Sequence, residues 1–133
     1  NVPFILYAPQ LLKSEKHSFV ASEVDVLPTL ASLAGFPYTN TTLGSDLLDP
    51  NINKNRYVFT MEHRKPLLIG VTGKNKTYTA NFDGGQAGLH DLNSPTPRKD
   101  ISQQHPEEAE KLQRLMFGLY ETIKYMRYHN KSK

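Results

Sequence analysis

Three short runs rich in β-branched and aromatic residues, at 57–61, 67–72 and 77–82, precede one long stretch whose apolar residues recur at helical spacing. That change of period narrows the fold more than any other feature. The turns between the runs carry Arg64-Lys65-Pro66 and Gly73-Lys74-Asn75, so an antiparallel meander is expected. Leu89-His90-Asp91-Leu92, after the Gly84-Gly85 turn, is expected to add a last short strand. In the helical stretch Pro106 suits the first position, and Glu107, Glu108 and Glu110 place negative charge in the opening turns. Leu112, Leu115, Met116, Leu119, Ile123 and Met126 form one apolar stripe, which is expected to pack across the meander.

The first part of the chain reads differently. Residues 2–8 are almost continuously apolar with Pro3 at the edge, the pattern of a buried strand. A polar connection over 9–18 leads to a helix with clear punctuation. Ser22 suits its cap, and Glu23 and Asp25 suit its first turn. Pro28 sits early, where its missing N–H costs little. Val26, Leu27, Leu30, Leu33 and Ala34 form the expected core face, and Gly35 closes the helix with Pro37 beyond. Residues 36–55, rich in Asn, Thr, Asp, Gly and Pro, read as a long surface loop pinned by Leu43, Leu47 and Leu48. The expected division is 1–50, a terminal strand and helix with their loop, and 51–133, a small antiparallel-sheet subdomain with its helix.

Bulk properties exclude several classes. A chain of 133 residues with 38% hydrophobic content can bury a real core, and no apolar run is long enough to span a bilayer. There is no cysteine, which removes disulfides, thiolate metal sites and a cysteine nucleophile. The net charge of +3 is mild. Part of it lies in Lys124, Arg127, Lys131 and Lys133, with His129 beside them, which reads as a solvated helix end rather than a nucleic-acid patch. No signal-peptide pattern occurs, and Asn1 opens almost directly on a strand-like run, so a truncated or excised piece is expected. Asn40, Asn75 and Asn130 begin glycosylation-type triplets, which carry weight only in a secreted eukaryotic protein.

Catalytic constellations are missing from the sequence. Gly44-Ser45-Asp46 lacks the flanking glycine of a nucleophile elbow, and Gly84, Gly85 and Gly88 have turn spacing rather than phosphate-loop spacing. His105-Pro106-Glu107 has no cysteines to complete a zinc motif. His90-Asp91 is a single dipeptide without further ligands. His63-Arg64, beside a strand, is a candidate substrate rim because guanidinium grips oxyanions well, although an ordinary turn is the stronger reading. Asp25 is the most interesting carboxylate, and a helix-start charge accounts for it better than catalysis does. No catalytic or metal-binding residue is assigned.

Several segments, taken in order, resemble one family. Val2-Pro3-Phe4-Ile5 through Pro9 resembles a strand of the sulfatase and alkaline-phosphatase-like superfamily. Val24-Asp25-Val26-Leu27-Pro28-Thr29-Leu30 with Leu33-Ala34-Gly35 is similar to the helix that follows it there. Thr42-Leu43-Gly44-Ser45-Asp46-Leu47-Leu48 resembles the family's next segment. Gly88-Leu89-His90-Asp91-Leu92-Asn93 resembles its Leu-Tyr-Asp-Leu segment, with His90 in the tyrosine's place. Asp100-Ile101 and His105-Pro106-Glu107 resemble the lead into its C-terminal helix. The Thr-Leu-Gly-Ser-Asp-Leu-Leu wording and a final helix carrying Tyr120 and Tyr125 resemble lipoteichoic-acid-synthase-like proteins and phosphoglycerol transferases more than arylsulfatases.

The resemblance implies the C-terminal piece of an alkaline-phosphatase-like α/β sandwich, α+β as a fragment. It implies a parent that cleaves or transfers sulfate or phosphate esters with a divalent metal (Mn, Mg, Ca or Zn). In that family the nucleophile and metal ligands lie upstream of the strand that begins here, so this chain is expected to bind no cofactor. The matched residues Pro3, Asp25, Pro28, Thr29, Gly35, Leu89 and Asp91 fall in scaffold segments. The implied partner is the N-terminal catalytic part, with self-association through exposed sheet edges as another outcome. The implied location of the parent is extracytoplasmic, with room for a membrane anchor upstream. The rival reading is a non-catalytic anion-binding or interaction module.

Overall fold

The computed structural model describes residues 3–63 and 65–130. A single 3-10 turn, Glu23–Asp25, leads into helix α1, Val26–Leu33. Four strands follow, β1 Val58–Glu62, β2 Leu68–Thr72, β3 Lys76–Asn81 and β4 Gly88–Asp91, and the chain ends on helix α2, Pro106–His129. The sheet order is β1-β2-β3-β4 and every neighbouring pair is antiparallel. The meander and its covering helix form where the change of period placed them.

Register explains why this sheet has one greasy face. Ile69 lies opposite Ala80, Val71 opposite Tyr78, and Tyr78 opposite Leu89. Alternation along each strand therefore turns these five side chains to the same side. Ala109, Leu112 and Met116 of α2, at helical spacing, close over them to complete the core. Ile69, Val71, Leu89, Leu112 and Met116 are all essentially inaccessible to solvent, and each such burial contributes about 1.5–3 kcal/mol. A Lys76–Glu108 ion pair joins β3 to the first turn of α2.

The outer edge of β4 is occupied. Ile101 N–H donates to the Leu89 carbonyl at 2.8 Å, and Leu89 N–H donates to Asp100 Oδ1 at 3.0 Å and Ser102 Oγ at 2.9 Å. The same Asp100 oxygen accepts from the Ser102 hydroxyl at 2.6 Å and the Ser102 N–H at 2.9 Å. These Ser102 hydrogen bonds, hydroxyl first, hold the Asp100 carboxyl below its ordinary range. The 100–102 segment thereby fixes where the chain turns into α2.

Two expectations for the first part of the chain are corrected. The strand expected over 2–8 does not form: residues 3–8 join no sheet, while Val2 lies outside the described residues. A strand exists only through a ladder partner, and no described element offers one to this segment. Ile5 and Tyr7 are consequently 80% and 89% exposed. The second correction concerns the face of α1. Its buried residues are Pro28, Thr29 and Ala31, whereas Leu27 and Leu30 are 57% and 43% exposed. Asp25 and Thr29 face inward at the start of the helix because hydrogen-bonding partners await them there.

Candidate functional site

Those partners converge on Asp25, which is completely buried. A buried carboxylate needs donors for its oxygens, and three surround this one. Ser22 N–H donates to Oδ2 at 2.7 Å. Ser45 N–H and Arg56 Nη2 both donate to Oδ1 at 2.8 Å. One turn on, the Thr29 hydroxyl donates to the Asp25 carbonyl at 2.6 Å and accepts from Leu47 N–H at 3.0 Å. The start of α1, the 44–47 loop and the residue leading into β1 are thus tied at one point.

Local sequence makes that approach possible. At Gly44 a side chain would lie 1.9 Å from the Val24 carbonyl oxygen, so only glycine lets the loop come close enough for Ser45 to reach Asp25. Asn40 shapes the loop, donating from Nδ2 to the Gly44 carbonyl at 2.6 Å and accepting from Thr42 N–H at 3.0 Å. Gly35, with φ of +68°, ends α1 in the left-handed conformation. Phe36 N–H reaches back to the Ala31 carbonyl at 3.0 Å, as a glycine-closed helix requires.

Arg56 also lines a cavity of about 480 Å³. Tyr57, Val58 and Phe59 form one wall, Leu119, Ile123, Met126 and Arg127 another, and Thr41, Thr42 and Leu43 a third. Asn130 closes one side, donating from Nδ2 to the Thr41 carbonyl at 3.0 Å. Arg56 Nη1 is buried and has no hydrogen-bond partner. Nothing in the sequence singled out Arg56, because a charge at the end of a polar loop reads as solvated. The signal available was Asp25 itself: if that carboxylate is buried, a cation elsewhere must meet it.

The remaining sequence candidates do not gather into a site. His63 is exposed and Arg64 lies outside the described residues. Pro3 is exposed and Pro28 is buried in α1. Leu89 is at the centre of the core. Asp91 caps the turn after β4, accepting from Asn93 N–H at 2.8 Å. His90 Nδ1 lies 3.2 Å from the Lys99 carbonyl and His129 Nδ1 lies 2.8 Å from the Tyr125 carbonyl. Among the described residues no group of three or more His, Asp or Glu side chains could hold a metal ion. The described residues therefore do not fit a metal centre, and no chemistry is routed through one. No described helix is long and apolar enough to cross a membrane.

No protein-family model matches the chain, and no curated protein matches it. Solved structures do. One is a candidate sulfatase from Bacteroides thetaiotaomicron VPI-5482, 25% identical with a TM-score of 0.54, over 81% of this chain and 26% of that one. BT4656, solved with its substrate D-glucosamine-2-N,6-O-disulfate, is 19% identical with a TM-score of 0.54, over 79% and 24%. BT1596, a 2-O GAG sulfatase, is 24% identical with a TM-score of 0.51, over 81% and 26%. The chain spans about a quarter of the length of each.

Proposed function

We propose that this chain, which carries the fold of the sulfatase and alkaline-phosphatase-like superfamily, serves as the C-terminal, non-catalytic portion of a metal-dependent enzyme acting on sulfate or phosphate esters. One observation carries the reading: the match takes in most of this chain but only 26% of the other. Two features support it. The described residues offer no metal-ligand cluster; in this reading the metal and the nucleophile belong to the N-terminal catalytic part. Val24 of the 3-10 turn and Leu27 and Leu30 of α1, three apart in sequence, are exposed, as are Phe4, Ile5 and Tyr7; these apolar side chains suit the packing of that part.

The names and ligand of the similar structures favour a sulfate ester as the parent's substrate. The phosphoglycerol-transferase type rests instead on the wording at 42–48 and on Tyr120 and Tyr125. An extracytoplasmic parent follows from the family's usual setting. In this reading the chain's own task is structural: the Asp25 cluster fixes α1 against the loop, and the sheet and α2 extend the parent's scaffold.

The test is an assay of the purified chain with nitrophenyl sulfate and nitrophenyl phosphate in the presence of Mn, Mg or Ca salts. No turnover is expected. Metal-dependent hydrolysis that co-purifies with the chain overturns the non-catalytic assignment.

A further inference from the structure

We infer that the outer edge of β1 is a docking site for an extended, alternately apolar segment of the N-terminal catalytic part, which joins the sheet there as a fifth strand. The inference rests on the proposed function for the existence of that part and adds how the chain holds it.

Hydrogen-bond parity identifies the backbone groups that face outward. Gly73 N–H donates to the Lys76 carbonyl and Phe82 N–H to the Leu67 carbonyl, both at 2.9 Å, so in this pairing Ile69 and Val71 bond to β3. Backbone groups alternate sides along a strand. Leu68, Gly70 and Thr72 therefore turn to β1, where they face Glu62, Thr60 and Val58. The N–H and carbonyl groups of Phe59 and Met61 are left pointing away from the sheet. Among the described residues no backbone hydrogen bond outside the ladder takes them. The opposite edge of the sheet is covered, since Asp100, Ile101 and Ser102 hold Leu89 of β4. An edge without such cover is usually blunted by lysine, proline or a bulge. Strand β1 reads Val-Phe-Thr-Met-Glu and keeps its register with β2 unbroken, so it has none of these.

The cavity of about 480 Å³ provides room beside this edge. Its lining includes three successive residues, Tyr57, Val58 and Phe59, and none of β2, β3 or β4. Side chains alternate between faces, so a space that meets three in a row lies at the side of the strand. Phe59 and Met61 pair with Val71 and Ile69, which are buried under α2, and Leu119, Ile123 and Met126 of α2 line the same cavity. An added strand carries the side chains opposite Phe59 and Met61 onto this apolar face, while its residue opposite the exposed Thr60 meets solvent. Alternation of apolar and polar residues is thus the chemistry the edge selects. Two observations name the source of the strand. Val24, 45% exposed, lines the cavity and begins the apolar series that suits the packing of the N-terminal part. The sulfatase fold matched by this chain extends far beyond it, the chain covering 26%, so polypeptide to supply a strand belongs to that architecture. One extended segment satisfies edge and cavity together, whereas a small molecule fills the cavity and leaves the edge bare.

The test is residue-resolved amide hydrogen exchange in this chain alone and in the longer protein that the proposed function requires. Exchange at Phe59 and Met61 should slow by about tenfold or more in the longer protein, as a gained hydrogen bond demands. Met61→Pro removes an outward N–H and no ladder bond, which an edge strand tolerates. It should leave the circular dichroism melting curve of this chain little changed and abolish the added protection of Phe59 in the longer protein. Ile123→Trp, which fills the cavity, should abolish that protection by a separate route. Equal exchange at Phe59 and Met61 in the two proteins overturns the inference while the proposed function stands, and so does protection of Phe59 that survives both substitutions. If no coding sequence for a catalytic part precedes this chain, the proposed function falls and the inference falls with it.

Discussion

Asp25 is fully buried against an Arg56 that keeps a small exposed fraction, so the two cannot be removed with equal consequence. Asp25→Ala leaves the Arg56 side chain, 11% exposed, without its counter-charge, and a loss of about 3–5 kcal/mol is expected. Urea unfolding measures it; a change within the error of the extrapolation would mean the pair contributes nothing to stability. Gly44→Ala should destabilise for a different reason. It leaves Asp25 untouched but drives a methyl group into the Val24 carbonyl, pushing Ser45 away. Asp100 adds a pH dependence. Its folded carboxyl is held below the ordinary range by Ser102, so its contribution is fully present above its unfolded value near ~4. That contribution is lost as pH falls through the lower, folded value. The stability difference between the wild type and Asp100→Asn should therefore shrink below about pH 4, and an unchanged difference down to acid unfolding would contradict it. Residue by residue, the sequence pointed to Asp25 and Gly35 through helix punctuation, which is local. It was silent on Arg56 and Ser45, whose roles depend on a loop folding back over a distance no spacing rule covers.

At the scale of elements, the division between legible and illegible follows where each element finds its partners. The meander and α2 complete one another, so their periods are satisfied within the chain. Tyr78, Leu89, Leu112 and Met116 are buried as alternation and helical spacing require. Leu112→Ala or Met116→Ala, each at a fully buried position, should cost about 2–5 kcal/mol, read from denaturant midpoints. The partly buried Leu119, farther along the same stripe, should cost less when truncated, and a reversed ranking would refute the packing described for α2. Helix α1 behaves otherwise. Its apolar spacing predicts a core face at Val26, Leu27 and Leu30, yet hydrogen bonds from the 44–47 loop and Arg56 claim the opposite side. Three donors to a buried carboxylate outweigh an apolar stripe that no described residue is placed to cover. The strand expected over 2–8 fails for the same reason, since alternation specifies a face but cannot supply a neighbour.

For the whole molecule, those two failures lie in the same part of the chain and share a cause. Within residues 3–38 the exposed large apolar side chains include Phe4, Ile5, Tyr7, Leu11, Leu27, Leu30 and Phe36. Monomeric proteins seldom leave so many uncovered, and β1 stands at the edge of the sheet, where a further strand could add. A surface of this kind is satisfied by another protein surface, whether a catalytic part of a longer protein or a second copy of the chain. In isolation only the second is available, so the chain should self-associate as its concentration rises. Leu27→Lys with Leu30→Glu places opposite charges on the stripe at positions already open to solvent, where substitutions usually alter stability by only about 0.5 kcal/mol. The double variant should sediment as a monomer at concentrations where the wild type does not, with its unfolding midpoint little changed. If the wild type is strictly monomeric at high concentration, the stripe is not adhesive and the packing role assigned to it falls. If both proteins associate equally, the β1 edge carries the contact instead, and a charge introduced at the exposed Thr60 is the substitution that should break it.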